Sequence, residues 1–143
     1  MQSIESTVSI PAGQQQVYQA LLDIDFISSV IPGVVLVERK GEHDAEWVVE
    51  VKKGFLRRKM VFQVHFDFVL DREIALEAHS NEVSLKGRIT VERSDATKTN
   101  LVVQLEYEAS GPLKYIVNNV VGDMVKDVPQ ILIEKLNVYL SVH

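Results

Sequence analysis

Apolar and polar side chains alternate, then recur at helical spacing, then alternate again for most of the chain, and return to helical spacing at the end. Residues 4–10 put Ile4, Ser6, Val8 and Ile10 on one side and Glu5, Thr7 and Ser9 on the other, which predicts a strand. Pro11 has no N–H to donate and ends it. Residues 12–23 carry Val17, Tyr18, Leu21 and Leu22 at helical spacing, and Ile24–Ile31 predicts a second short helix stopped by Pro32-Gly33.

Strands follow. Val34–Lys40 is one. Ala45, Trp47, Val49 and Val51 alternate with Glu46, Glu50 and Lys52. Met60, Phe62, Val64, Phe66 and Phe68 alternate with Lys59, Gln63, His65 and Asp67. The same alternation runs through Ile74–Ala78, Val83–Val91 and Leu101–Tyr107. One apolar face per strand marks an antiparallel sheet wet on one side, and the spacing leaves room for hairpins but not for crossover helices. After Gly111-Pro112, apolar residues from Leu113 to Leu136 recur at three- and four-residue steps. They predict a helix of about 28 residues, roughly 42 Å long at the α-helical rise. Pro129 is expected to kink it, and Gly122 to let it approach the sheet. The fold class is therefore α+β: a curved seven-stranded antiparallel sheet, two short helices after the first strand, and a long C-terminal helix covering the concave face. No repeat or linker divides residues 1–143, which read as a single domain of ordinary size.

Composition adds exclusions. Zero cysteines rule out disulfides, thiolate nucleophiles and thiolate metal sites. The start Met1-Gln2-Ser3-Ile4-Glu5 lacks the basic and apolar regions of a signal peptide and no lipidation motif is present, so a cytoplasmic location is expected. A net charge of −5 argues against nucleic acid as a partner. One segment departs from that average. Lys52, Lys53, Arg57, Arg58 and Lys59 place five of the 15 basic residues around Gly54, Phe55 and Leu56. Apolar residues ringed by cations at a hairpin tip suit an anionic membrane surface or an acidic partner; a solvated hairpin is the plainer reading.

Other chemistry is thin. No HxH, HExxH, GxSxG, GxGxxG or P-loop occurs, so neither a metal nor a cofactor is expected. A register with Phe68 opposite Ile74 places His65 opposite Glu77 on the solvent face, a solvated cross-strand pair. The strand glutamates fall on the polar face. Tyr18, Tyr107, Tyr115 and Tyr139 are the candidate polar handles inside a cavity. The concave stripe, with Trp47, reads either as core or as the lining of a ligand pocket.

Ile10-Pro11-Ala12 followed by Val17-Tyr18, the Ile31-Pro32-Gly33 stop, and Thr99-Asn100-Leu101 leading to Gly111-Pro112-Leu113 carry a resemblance over nearly the whole chain. It resembles the helix-grip (START-related, polyketide-cyclase-like, SRPBCC) superfamily, and within it most the carbon monoxide dehydrogenase G-subunit family. That family often has Gly before the Thr, where this chain has Lys98. The resemblance implies a sheet–helix cavity for a hydrophobic small molecule or lipid-like ligand. It also implies an accessory role near the inner membrane face, beside a carbon monoxide dehydrogenase-like complex. The expected lining is Trp47, Val49, Met60, Phe62, Val64, Phe66, Leu76, Leu85, Tyr107, Val117, Val121 and Met124, with Phe26, Ile27 and Val30 as a lid. Docking is assigned to Lys52, Lys53, Phe55, Leu56, Arg57, Arg58 and Lys59. No catalytic residue is assigned. The function expected is non-enzymatic binding. The alternatives are a polyketide-cyclase-like enzyme with a tyrosine or buried carboxylate as acid/base, or an assembly factor with a filled core. A homodimer through exposed strand or helix edges is a further expectation.

Overall fold

The computed structural model describes residues 2–54, 56–70 and 72–142, without the side chains of Lys53, Leu56 and Val142. Strand β1 (Gln2–Ile10) is followed by α1 (Gln14–Leu21) and α2 (Ile24–Val30). Then come β2 (Val34–Arg39), β3 (Asp44–Lys53), β4 (Leu56–Val69), β5 (Glu73–His79), β6 (Val83–Asp95) and β7 (Lys98–Ala109), and finally α3 (Lys114–Val125) and α4 (Val128–Val142). The strands form one antiparallel sheet in the order β1-β7-β6-β5-β4-β3-β2. β2 to β7 follow one another as a meander, and β1 closes the far side by pairing with β7.

The register follows the apolar alternation. Phe66 faces Leu76, Phe68 faces Ile74 and His65 faces Glu77, as the pattern requires. A one-residue slip would carry the whole apolar set to the solvent side. Ile10, Trp47, Phe66, Ile74, Leu101 and Val103 are fully buried on the concave face, and Leu132 and Leu136 of α4 are buried in the same core. Asp23 caps α2: its Oδ1 accepts from the amides of Asp25 (3.0 Å) and Phe26 (3.2 Å).

Two of the segments that carry the resemblance meet in space. Ile10 pairs with Thr99 across β1 and β7, and the buried Thr99 Oγ1 donates to the Ala12 carbonyl at 2.7 Å. The chain leaves β1 for α1 over that bond.

The predicted single C-terminal helix is two. α3 stops at Val125 and α4 starts at Val128, with Lys126 and Asp127 in a turn between them. Pro129 has no amide hydrogen for the Val125 carbonyl, and its ring crowds that carbonyl. The helix therefore breaks one turn before the proline rather than bending at it. α4 packs over β1, α1 and α2, while α3 lies over β7. Gly122 permits that approach: a Cβ there would come within 2.6 Å of the Tyr107 hydroxyl oxygen.

Candidate functional site

Between α3 and the sheet lies an apolar cavity of about 40 Å³. β3 contributes Trp47, Val49 and Val51, and β4 contributes Met60 and Phe62. β6 adds Val83 and Leu85, and α3 adds Val121, Met124 and Val125. Ile31 and Pro32, at the end of α2, complete the wall. Every lining residue is apolar. The one polar atom among their side chains, the indole Nε1 of Trp47, donates to Ser28 Oγ at 2.9 Å and is thereby satisfied away from the opening. A wall of this kind can hold hydrocarbon, and it offers no group to a proton transfer.

Seven of the residues expected in the lining are there: Trp47, Val49, Met60, Phe62, Leu85, Val121 and Met124. Val64, Phe66, Leu76, Tyr107 and Val117 are buried in the same core but lie outside the opening. Phe66, for instance, is spent on packing, edge-on to Trp47 at 6.4 Å and stacked on Phe68 at 6.4 Å. Val51, Val83 and Val125 were missed, although each continues a pattern already in view: the next alternate strand position after Val49, the one before Leu85, and the helical i+4 from Val121. Ile31 and Pro32 had no such signal. The expected lid residues Phe26, Ile27 and Val30 are buried on α2 and do not line this opening; the Phe26 ring lies 5.0 Å from that of Tyr139 on α4.

None of the four tyrosines lines the cavity. Tyr18 donates to the Val69 carbonyl (2.9 Å), Tyr107 abuts Gly122, Tyr139 packs on Phe26, and Tyr115 is 75% exposed. The buried polar residues among those described are Ser28 and Thr99, both held in hydrogen bonds. His65 corrects an expectation. It faces Glu77 in register, but its ring bonds Asp44 on the opposite neighbour β3 (Nδ1, 2.9 Å) and Asp67 (Nε2, 3.2 Å). The Asp44 hydrogen bond, with help from the Asp67 charge, raises its pKa above the ordinary histidine value. Among the described residues, no group of three or more His, Asp or Glu converges as a metal site. His143 lies outside the described residues.

At the β3–β4 tip, Lys52 pairs across the hairpin with Arg57, and Gly54 takes a φ of 59°. That left-handed conformation suits a residue without Cβ. Phe55 lies outside the described residues, as do the side chains of Lys53 and Leu56. Two of the tip cations are committed inside the chain. Lys52 binds Glu50 at 2.7 Å, and Arg58 makes a two-pronged ion pair with Glu82 in the β5–β6 turn. The hydrogen bond and charge of Lys52 hold the Glu50 carboxyl below its ordinary pKa. Arg57 and Lys59 are exposed. Glu82 also accepts from the Ser110 amide through its carbonyl (2.8 Å), which brings the start of α3 to the same rim. There Leu113, Tyr115 and Ile116 are exposed. No helix among the described residues is long and apolar enough to cross a membrane.

Solved structures share this architecture. A conserved protein from Geobacillus kaustophilus superposes with a TM-score of 0.74 at 16% identity, covering 98% of this chain and 95% of that one. A START superfamily protein from Mycobacterium smegmatis gives 0.71 at 14% identity, covering 96% and 98%. The Zhui aromatase/cyclase from Streptomyces sp. R1128 gives 0.65 at 18% identity, covering 94% and 93%. At these identities the likeness establishes the helix-grip fold alone. No curated protein matches the chain. The family model for the carbon monoxide dehydrogenase G-subunit, CoxG, matches residues 7–141, nearly the whole length. With the paired Ile10-Pro11-Ala12 and Thr99-Asn100-Leu101 segments at its first turn and a helix-grip sheet around it, the chain belongs to the carbon monoxide dehydrogenase G-subunit (CoxG) family.

Proposed function

We propose that this protein is a non-enzymatic carrier that holds a hydrophobic small molecule or lipid-like ligand between α3 and the sheet. On this reading it docks on an anionic membrane surface, as an accessory of a carbon monoxide dehydrogenase-like complex, through the β3–β4 hairpin. The observation that carries the reading is the wholly apolar wall of the cavity. Burying roughly 300 Å² of ligand against such a wall contributes about 7 kcal/mol before association costs, which leaves modest affinity suited to a carrier. A cyclase needs a proton-transfer group at its substrate, and the lining supplies none.

The free volume of about 40 Å³ favours a second reading, an assembly factor whose core is filled. One experiment separates them. Native mass spectrometry of the protein as purified, followed by titration with the uncharged fluorophore N-phenyl-1-naphthylamine, is expected to show a bound amphiphile or saturable dye binding. A bare-chain mass together with no saturable fluorescence would leave the assembly factor standing.

A further inference from the structure

The cavity has a neighbour. A surface groove of about 410 Å³ runs beside it, and Pro32 and Met124 border both. Pro32 is fixed by its ring. Met124 is unbranched, turns about three side-chain bonds, and is only partly buried on α3. Its Cε rests in the space that Gly33 leaves open: a Cβ at residue 33 would stand 2.6 Å from it and 2.8 Å from the Glu50 carbonyl oxygen. Gly33, at a φ of 86°, thus forms the seat against which Met124 closes. The other helical wall residues, Val121 and Val125, are β-branched and have one strongly preferred χ1 in a helix.

The space left with Met124 seated is about 40 Å³. A dry apolar cavity that accepts benzene needs about 150 Å³. A ligand therefore requires the wall to move. Met124 can swing away without displacing backbone, and its departure from Gly33 would join cavity and groove. The groove is lined by three carboxylates, Glu50, Asp123 and Asp127, and one ammonium, Lys52; Glu50 pairs with Lys52 at 2.7 Å, and Asp123 with Lys126 of the adjoining turn at 3.5 Å. The excess of carboxylate repels an anionic head group, while the paired ions present donors and acceptors to a neutral one.

We propose that Met124 is the gate of the cavity, and that the ligand is an uncharged amphiphile whose hydrocarbon end passes Met124 while its polar end stays in the groove beside Glu50 and Lys52. This rests on the carrier reading above and adds its entrance and its ligand class.

The test compares Met124→Ala with Met60→Ala. Both remove the same side chain from the cavity wall, but only Met124 touches the groove. Stopped-flow association of N-phenyl-1-naphthylamine is followed for the wild type and both variants. Both variants are expected to bind more tightly, because both enlarge the cavity. Met124→Ala alone is expected to associate about tenfold faster, since only it lowers the opening barrier. Equal association rates in the two variants, with saturable binding intact, would overturn the gate and leave the carrier. No binding by any of the three proteins would overturn both. If an alanine variant shows no cooperative thermal transition, Met124→Leu and Met60→Leu conserve volume. In that pair the stiffer side chain should slow association at position 124 only, and no difference between them overturns the gate. For the head group, 1-decanol is expected to displace the dye at lower concentration than decanoate, and the reverse order would overturn the uncharged class.

Discussion

Ser28 and Trp47 show how a single hydrogen bond positions the cavity wall. The Trp47 indole is 1% exposed and its N–H ends on Ser28 Oγ, which is itself fully buried on α2. Ser28→Ala leaves that donor without a partner in a dry site. The expected loss is about 1–3 kcal/mol, the cost of an orphaned buried group. For a chain of this size that lowers the thermal midpoint by roughly 2–4 °C per kcal/mol. An unchanged midpoint in a calorimetric scan would mean that water or a shifted indole replaces the serine. Trp47 was legible in the sequence as an inward residue, because it falls in phase with Ala45, Val49 and Val51. Its partner was not: Ser28 lies on another element, and no periodicity relates them. Met124 is the same case. Its helical phase marked it as inward-facing, but its contact with Gly33 joins residues far apart in sequence.

The strands were readable because one face is buried and one is wet, so each carries a period-2 imprint. The β4–β5 register followed from that imprint, since slipping it would bury His65 and expose Phe66. Which partner His65 takes did not follow, because β3 and β5 flank β4 on both sides and both present carboxylates. The structure selects Asp44 on β3. This pairing has a pH consequence with a definite sign. The folded-state pKa of His65 is raised, so its contribution is fully present below the unfolded value of about 6.5 and is lost as pH rises through the folded value. Denaturant midpoints of wild type and His65→Gln are therefore expected to differ more at pH 5.5 than at pH 8.5. Salt should shrink the difference, since all three side chains are half or more exposed. A difference independent of pH would rule out a stabilising charge on His65. The helices were less legible. The apolar stripe from Leu113 to Leu136 continues through Lys126 and Asp127, so periodicity alone reads one helix. The break comes from a backbone bond that Pro129 cannot make.

At the scale of the molecule, one rim collects features that are scattered in sequence. Arg58 on β4, Glu82 in the β5–β6 turn and Ser110 before α3 are joined by an ion pair and a backbone hydrogen bond. The exposed Leu113, Tyr115 and Ile116 thereby share a rim with the cationic hairpin. Arg58 and Lys52 are held by carboxylates, so on the proposed membrane reading Arg57 and Lys59 are, among the described side chains of the hairpin, the cations available to lipid. Each such charge near an anionic surface contributes about 1 kcal/mol. Arg57→Glu with Lys59→Glu is therefore expected to weaken co-sedimentation with phosphatidylserine vesicles by at least about 30-fold at low salt, with the circular dichroism spectrum unchanged. Equal sedimentation of variant and wild type would remove the hairpin from the docking surface.

The sequence by itself determined the strands, the order of elements, the concave face and the cationic hairpin. Each of these is written in local periodicity or local composition, and burial on one face enforces it. Only the tertiary structure decided which inward residues leave an opening and which fill the core. That division depends on how closely α3 approaches β3, β4 and β6, and so on Met124 of α3 meeting Gly33, and Gly122 of α3 meeting Tyr107 of β7. Close packing is a property of such meetings, and no one-dimensional pattern records them.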